Sequence, residues 1–287
     1  IDTFKTLLAH LGSEIDADIP AGILKIRTPD VNDPYAPYEL VKTMRASVLV
    51  LGPLLARFKR ARVSLPGGCA IGARPINLHL MGLKKMGAEV TIEHGYVTVE
   101  AKRLKGAKIY FDTNTVTGTE NLMLAGVCAA GVTVLENAAL EPEVVCLAET
   151  LNRMGAHITG AGSDTITIEG VFGAELKPVE VRVIPDRIEA GTFMVASAMT
   201  KGNVLIKDCP YRNLDALTIK LKEAGAEVAE EEGGVRVTGD YPVRSVDVKT
   251  LPYPGFPTDM QAQMMAMMAV GNGLSVITET VFENRFM

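Results

Sequence analysis

One phrase returns four times along the chain and restricts what it can fold into. A helix-like run ends in Gly-Ala or Gly-Ser and passes into a short strand. The copies are Leu11-Gly12-Ser13-Glu14-Ile15, Met86-Gly87-Ala88-Glu89-Val90, Met154-Gly155-Ala156-His157-Ile158 and Ala224-Gly225-Ala226-Glu227-Val228. Their glycines stand at 12, 87, 155 and 225, intervals of 75, 68 and 70 residues. Glycine directly after the last helical residue fits a left-handed C-cap, a conformation that a Cβ disfavours. An alternating run follows each copy, at Leu24-Lys25-Ile26, Val97-Thr98-Val99, Ile166-Thr167-Ile168 and Val235-Arg236-Val237. Period-2 alternation after a helix stop predicts a hairpin. A further strand and helix precede the phrase, as in Gly131-Val132-Thr133-Val134-Leu135-Glu136 leading to Glu143-Val144. The chain is therefore predicted to be α/β and modular, with a unit too long for common solenoids. The first copy comes only twelve residues in, and the last unit, from Pro242, reaches Met287 without its own Gly-Ala phrase. Both ends are expected to lie inside a longer protein.

With 287 residues, 47% of them hydrophobic, the chain can bury the cores of two domains. Trp is absent and aromatics make up 5%, so those cores must come from aliphatic side chains and Met. A net charge of -5 argues against a nucleic-acid binder that relies on bulk positive charge. Cys69, Cys128, Cys146 and Cys209 form no CxxC pair, which leaves no recognisable zinc site and suggests a reducing compartment. Cys128 and Cys146 read as inert core thiols, Cys209 as a loop cysteine before Pro210. No window approaches the roughly 18 apolar residues that cross a bilayer, and Ile1-Asp2-Thr3-Phe4 is unlike a signal peptide. The expectation is a soluble, cytoplasmic protein with no membrane and no nucleic-acid partner.

The chemistry concentrates in a few segments. Leu65-Pro66-Gly67-Gly68-Cys69-Ala70-Ile71-Gly72-Ala73-Arg74-Pro75 puts a thiol on a loop rich in Gly and Pro, five residues before a cation. A thiol so placed suits acid/base or covalent work, and nucleophile, redox sensor and plain surface cysteine all remain open. Pro75 sits where a helix through Asn77, His79 and Leu83 would begin, and that helix end beside Arg74 can receive an anion. His79 reads as a packed or solvent-facing helix residue. Arg45 stands in the first turn of an apolar helix, where the helix dipole disfavours a cation, so it is a candidate for binding. In Tyr253-Pro254-Gly255-Phe256-Pro257-Thr258-Asp259, the prolines impose an extended approach. Thr258 or Asp259 is predicted to cap a Met-rich helix over 260–270, and Asp259 could equally serve as a base. The polar run from Thr278 to Phe286 follows a strand predicted over 274–277.

Taken together, Pro66–Pro75, Phe256-Pro257-Thr258-Asp259-Met260-Gln261-Ala262-Gln263 and Glu279-Thr280-Val281-Phe282-Glu283-Asn284-Arg285-Phe286 resemble one family along essentially the whole chain. It is that of the UDP-N-acetylglucosamine 1-carboxyvinyltransferases, enolpyruvyl transferases of peptidoglycan synthesis. The resemblance implies an inside-out α/β barrel of repeated strand–helix–strand–helix–strand–strand units in two domains, divided here into 1–184 and 185–287. It implies phosphoenolpyruvate and UDP-N-acetylglucosamine as substrates, fosfomycin as a covalent inhibitor, and no metal or other cofactor. Cys69 would protonate the methylene of phosphoenolpyruvate and could form an adduct with it. Asp259 would be the base at the sugar 3-hydroxyl. Arg45 and Arg74 would bind phosphate, carboxylate or diphosphate, Arg74 within the catalytic set. Arg74, Pro75, Ile76, Asn77 and Leu78, with Thr113, Asn114, Thr115 and Val116, would hold the uridine diphosphate, and Val281 would touch the sugar nucleotide. The sequence departs from the family at Asn77, where Asp often stands, and at Thr113, where some members carry Lys. The family's N-terminal Lys-Asn pair and C-terminal arginines fall outside 1–287, so these residues alone are expected to be inactive. A shikimate-type transferase and a non-catalytic sugar-nucleotide binder are the competing readings; Cys69 counts against the first, Cys69 with Asp259 against the second.

Overall fold

The computed structural model describes residues 1–287 except 32, 43, 66–75, 174, 241 and 287. Its described residues fall into two compact units, the first made of residues 1–139 and 147–179, the second of 140–146 and 180–286.

The first unit opens with α1 (Asp2–His10) and the hairpin β1 (Glu14–Asp18) and β2 (Ile23–Arg27). Next come β3 (Tyr35–Ala36), α2 (Tyr38–Val41), a 3-10 turn (Arg45–Val50) running into α3 (Leu51–Phe58), β4 (Arg60–Ser64), α4 (Asn77–Lys85), β5 (Glu89–Glu93) and β6 (Tyr96–Glu100). The same succession then repeats as β7 (Lys108–Tyr110), α5 (Val116–Val127), β8 (Val132–Glu136), α6 (Pro142–Arg153, of which 142–146 are counted with the second unit), β9 (His157–Thr159) and β10 (Thr165–Glu169). The sheets repeat as well: β3-β4-β6-β5 and β7-β8-β10-β9 share one order, a parallel edge pair followed by antiparallel neighbours.

In the second unit α7 (Arg187–Met199), β11 (Asn203–Lys207), α8 (Asp215–Glu223), β12 (Glu227–Glu231) and β13 (Gly234–Thr238) give a third copy, with sheet order β11-β13-β12. The strand β14 (Val248–Lys249), a 3-10 turn (Thr258–Met260), α9 (Gln261–Ala269) and β15 (Ile277–Thr278) follow. The strand expected over 274–277 is confined to β15.

Local chemistry explains the repeat. Gly12, Gly87, Gly155 and Gly225 all have positive φ, between 93° and 107°, where a side chain would strain the backbone. Each glycine stops its helix and releases the hairpin predicted after it. On the last hairpin strands alternate residues turn inward: Val97 and Val99, Ile166 and Ile168, and Val235 and Val237 are at most 1% exposed. Burying each contributes about 1.5–3 kcal/mol, and a one-residue slip would put all of them in water. In the first unit the sheets bury one face while α5 is enclosed along most of its length. The core of the second unit is aliphatic and Met-rich, with Met194, Leu217, Leu221, Met260 and Met264 fully buried.

No helix among the described residues is long and apolar enough to cross a membrane.

Candidate functional site

In the first unit, three segments singled out in the sequence converge on one side chain, His79. It lies on the first turn of α4 directly after Asn77 and Leu78 and is 1% exposed. Asn121 of α5 takes the backbone N–H of Gly52 on its Oδ1 at 2.7 Å, which fixes which end of its amide is the donor. The Nδ2 group then donates to the Val48 carbonyl at 3.1 Å and to His79 Nδ1 at 2.9 Å. With Nδ1 accepting, a neutral His79 carries its proton on Nε2 and donates it to Thr117 Oγ1 at 3.3 Å. Burial first, and then the positive charge of Arg45, hold His79 down at about 4 from its ordinary 6.5. His79 therefore serves as a neutral hub between the α4 start, the α5 start and the turn headed by Arg45. Sequence reasoning missed this role, because nothing near His79 in the chain marks Thr117 or Asn121 as its partners.

Arg45 opens a 3-10 turn rather than the first turn of an α-helix, and α3 begins only at Leu51. The expected conflict with an α-helix dipole is accordingly replaced by a tighter turn. The buried hydroxyl of Ser47 donates to the Met44 carbonyl at 2.6 Å and pins the residue before Arg45. At the start of α5, Thr115 accepts the Gly118 N–H at 3.2 Å as N-cap, and Asn114 Nδ2 donates to the Ala138 carbonyl at 3.2 Å. Thr113 and Asn77 are exposed, Asn114 to Val116 and Leu78 partly so, and Ile76 is buried. Open N–H groups at the starts of α4 and α5 favour anionic groups. Cys69, Arg74 and Pro75 lie outside the described residues.

In the second unit, Asp259 sits in the 3-10 turn before α9 with its side chain 59% exposed, 3.4 Å from Arg285. Neither Thr258 nor Asp259 caps a helix, which corrects the expectation. Thr258 instead donates to Glu279 Oε2 at 2.8 Å. Glu279 Oε1 accepts the backbone N–H groups of Val281 at 2.7 Å and Phe282 at 3.0 Å. Burial raises the Glu279 pKa, but bonds from Val281, Phe282, Thr258 and Thr250 outweigh it and keep the carboxyl below the usual range.

The same unit holds a second charged cluster that the sequence did not mark. Arg187 Nε donates to Glu143 Oε1 at 3.0 Å. Nearby Glu141 is 7% exposed, burial raises its pKa, and its Oε2 has no partner among the described residues. A carboxyl held towards its neutral form is a candidate proton carrier. In the chain, Glu141-Pro142-Glu143 reads as an ordinary helix start.

Cys128 and Cys146 are half-buried rather than core residues, and Cys209, also half-buried, lies outside helix and strand as expected. Burial pushes the Cys128 and Cys209 thiols up, away from thiolate. Among the described residues no group of three His, Cys, Asp or Glu could hold a metal ion.

The whole chain, residues 1–287, matches the family model of EPSP synthase (3-phosphoshikimate 1-carboxyvinyltransferase). It is 60% identical over 287 residues to the UDP-N-acetylglucosamine 1-carboxyvinyltransferase of Desulfatibacillum aliphaticivorans, covering 100% of this chain and 68% of that protein. The protein of the same name from Geobacter metallireducens is also 60% identical, with the same coverage. Among solved structures, the enolpyruvyl transferase NikO from Streptomyces tendae superposes with a TM-score of 0.85 at 23% identity, covering 99% of this chain and 68% of that one. EPSP synthase from Acinetobacter baumannii gives a TM-score of 0.66 at 19% identity, covering 96% and 64%. Both share the fold.

Proposed function

Because the chain belongs to the EPSP synthase family of enolpyruvyl transferases, we propose that it transfers the enolpyruvyl group of phosphoenolpyruvate to the 3-hydroxyl of UDP-N-acetylglucosamine. The observation that carries this reading is full-chain identity of 60% to proteins named for that reaction. The family model bears the name of the shikimate branch, but the EPSP synthase structure from Acinetobacter baumannii is only 19% identical.

In the proposed mechanism Asp259 accepts the proton of the sugar hydroxyl as its oxygen bonds to C2 of phosphoenolpyruvate. Cys69 delivers a proton to C3, turning the methylene into a methyl group. The tetrahedral adduct then loses phosphate from C2 and a proton from C3, which restores the double bond in the product. Arg45 and Arg74 bind the anionic groups of phosphoenolpyruvate or the diphosphate. The starts of α4 and α5, with Ile76, Asn77, Leu78 and Thr113 to Val116, hold the uridine diphosphate, with Pro75 alongside. Val281 contacts the sugar nucleotide.

The test is phosphate release by the full-length protein from phosphoenolpyruvate, with UDP-N-acetylglucosamine or 3-phosphoshikimate as acceptor. Release is expected with the first acceptor only, and both fosfomycin and Cys69→Ser should abolish it. Release with 3-phosphoshikimate alone would assign the chain to the shikimate branch. Tight binding of the sugar nucleotide without release would indicate a non-catalytic binder.

A further inference from the structure

We propose that Glu279 is a positioning residue that holds the proposed base Asp259 and the proposed nucleotide contact Val281 in one frame. The inference rests on the functional reading above and adds a residue that reading does not use.

The geometry carries it. The two oxygens of Glu279 face different segments: Oε2 accepts from Thr258 Oγ1 at 2.8 Å, and Oε1 accepts from the N–H groups of Val281 and Phe282 at 2.7 and 3.0 Å. Thr258 opens the 3-10 turn that carries Asp259, so one carboxylate ties that turn to the backbone on either side of Val281. The turn has no side-chain cap of its own. Asp259 is mostly exposed, and its ion pair with Arg285 spans 3.4 Å, so its aim depends on how the turn is seated. A second tie runs alongside, because Thr280 donates from its N–H to Thr250 Oγ1 at 3.0 Å and from Oγ1 to the Thr250 carbonyl at 2.5 Å. Thr250 is fully buried and anchors residues 279–282 to the core of the second unit. Removing the carboxylate would leave the 279–282 segment anchored but free the Asp259 turn from it.

The structural consequence is selective. Loss of Glu279 should disturb the acceptor sugar, which Asp259 and Val281 both address, and spare phosphoenolpyruvate. A misplacement near 1 Å at a reacting group costs on the order of 100-fold in rate.

The test is a kinetic double-mutant cycle on the full-length protein with Glu279→Ala, Thr258→Val and the double variant, with Glu279→Gln and Thr258→Ser beside them. Glu279→Ala is expected to raise KM for UDP-N-acetylglucosamine and lower kcat, each by about 10-fold or more, with KM for phosphoenolpyruvate within about two-fold. The double variant should be no worse than Glu279→Ala, since both remove one link, and Thr258→Ser should restore near wild-type kinetics. Glu279→Gln keeps an acceptor for the two N–H groups and should fall between wild type and Glu279→Ala. A merely structural residue would lower the active fraction, reducing kcat and leaving both KM values unchanged; that outcome overturns the proposal, as would additive single effects. Should Glu279→Ala fail to fold, Glu279→Gln and Thr258→Val decide by the same KM split. A wild-type protein that releases no phosphate overturns the functional reading and the positioning role with it.

Discussion

Asn121 donates to Nδ1 of His79 across 2.9 Å, and the direction of that bond fixes which ring nitrogen of the neutral imidazole carries the proton. The Gly52 N–H occupies Asn121 Oδ1, so the amide cannot turn to accept from a protonated imidazole without breaking that bond. Burial first, and then the charge of Arg45, keep His79 neutral, and the bond from Asn121 suits that state.

This arrangement predicts an unusual titration. The chain has four histidines, and one of them should stay neutral, protonated on Nε2, until the pH falls to about 4. The imidazole 15N shifts would show it directly, and the odd signal should vanish in His79→Gln. The sign for stability follows: the unfolded chain binds this proton near 6.5 and the folded chain only near 4, so folding binds fewer protons between those values. The stabilising contribution is whole above pH 6.5 and is lost as pH falls towards 4, by about 3 kcal/mol in total. Urea denaturation should show a steeper fall over that window in wild type than in His79→Gln.

Gly52→Ala should be one of the most damaging single-methyl additions in the first unit. A Cβ at Gly52 would overlap both the backbone carbonyl oxygen and Oδ1 of Asn121. The collision with backbone cannot be relieved by a rotamer change, and the Asn121 clamp would open with it. A loss of about 3 kcal/mol is expected, read by chemical denaturation.

Thr133→Val should act in the opposite direction. Thr133 is 0% exposed on β8, opposite Ile168, and its hydroxyl has no partner among the described residues. Valine keeps the shape and removes a stranded polar group, so a gain of about 1 kcal/mol is expected in the same assay.

Asp259→Asn should lower kcat by about 100-fold or more while the sugar nucleotide still binds. The amide cannot take the hydroxyl proton, yet it fills the same space opposite Arg285. Calorimetric binding combined with steady-state kinetics separates the two effects, and unchanged kcat would remove Asp259 from the mechanism.

Cys69→Asp should keep measurable transfer and lose sensitivity to fosfomycin. A carboxylic acid can still donate a proton, but it lacks the sulfur that the inhibitor alkylates. Phosphate release with and without the inhibitor reads both properties, and a dead Cys69→Asp enzyme would argue for a thiol-specific covalent step.

Where pattern was local, the sequence was a reliable guide. The glycines at 12, 87, 155 and 225 marked helix ends, and each proves to hold a positive φ followed by the expected hairpin. Val97 and Val99, Ile166 and Ile168, and Val235 and Val237 alternate onto a buried face, whereas Leu24 and Ile26 in the first copy alternate in the same way and are exposed. Arg45 is legible from sequence as an oddity, but not as the start of a 3-10 turn, since a 3-10 turn and an α-turn place similar demands on so short a segment. Thr258 and Asp259 read as caps from sequence, because a cap is the common fate of such residues ahead of a helix. Their actual partners, Glu279 and Arg285, lie more than twenty residues away.

By itself the sequence determined the repeating α/β unit, its helix stops and the hairpin after each stop. Those features depend on φ, ψ and hydrophobic period within about a dozen residues, and residue type encodes them directly. Only the tertiary structure decided that His79 is a neutral hub and that Glu279 links Thr258 to the Val281 turn. The separations are 42 residues from His79 to Asn121 and 21 from Thr258 to Glu279. A hydrogen bond requires donor and acceptor within about 3 Å, and no local pattern records which distant partner the folded chain brings there.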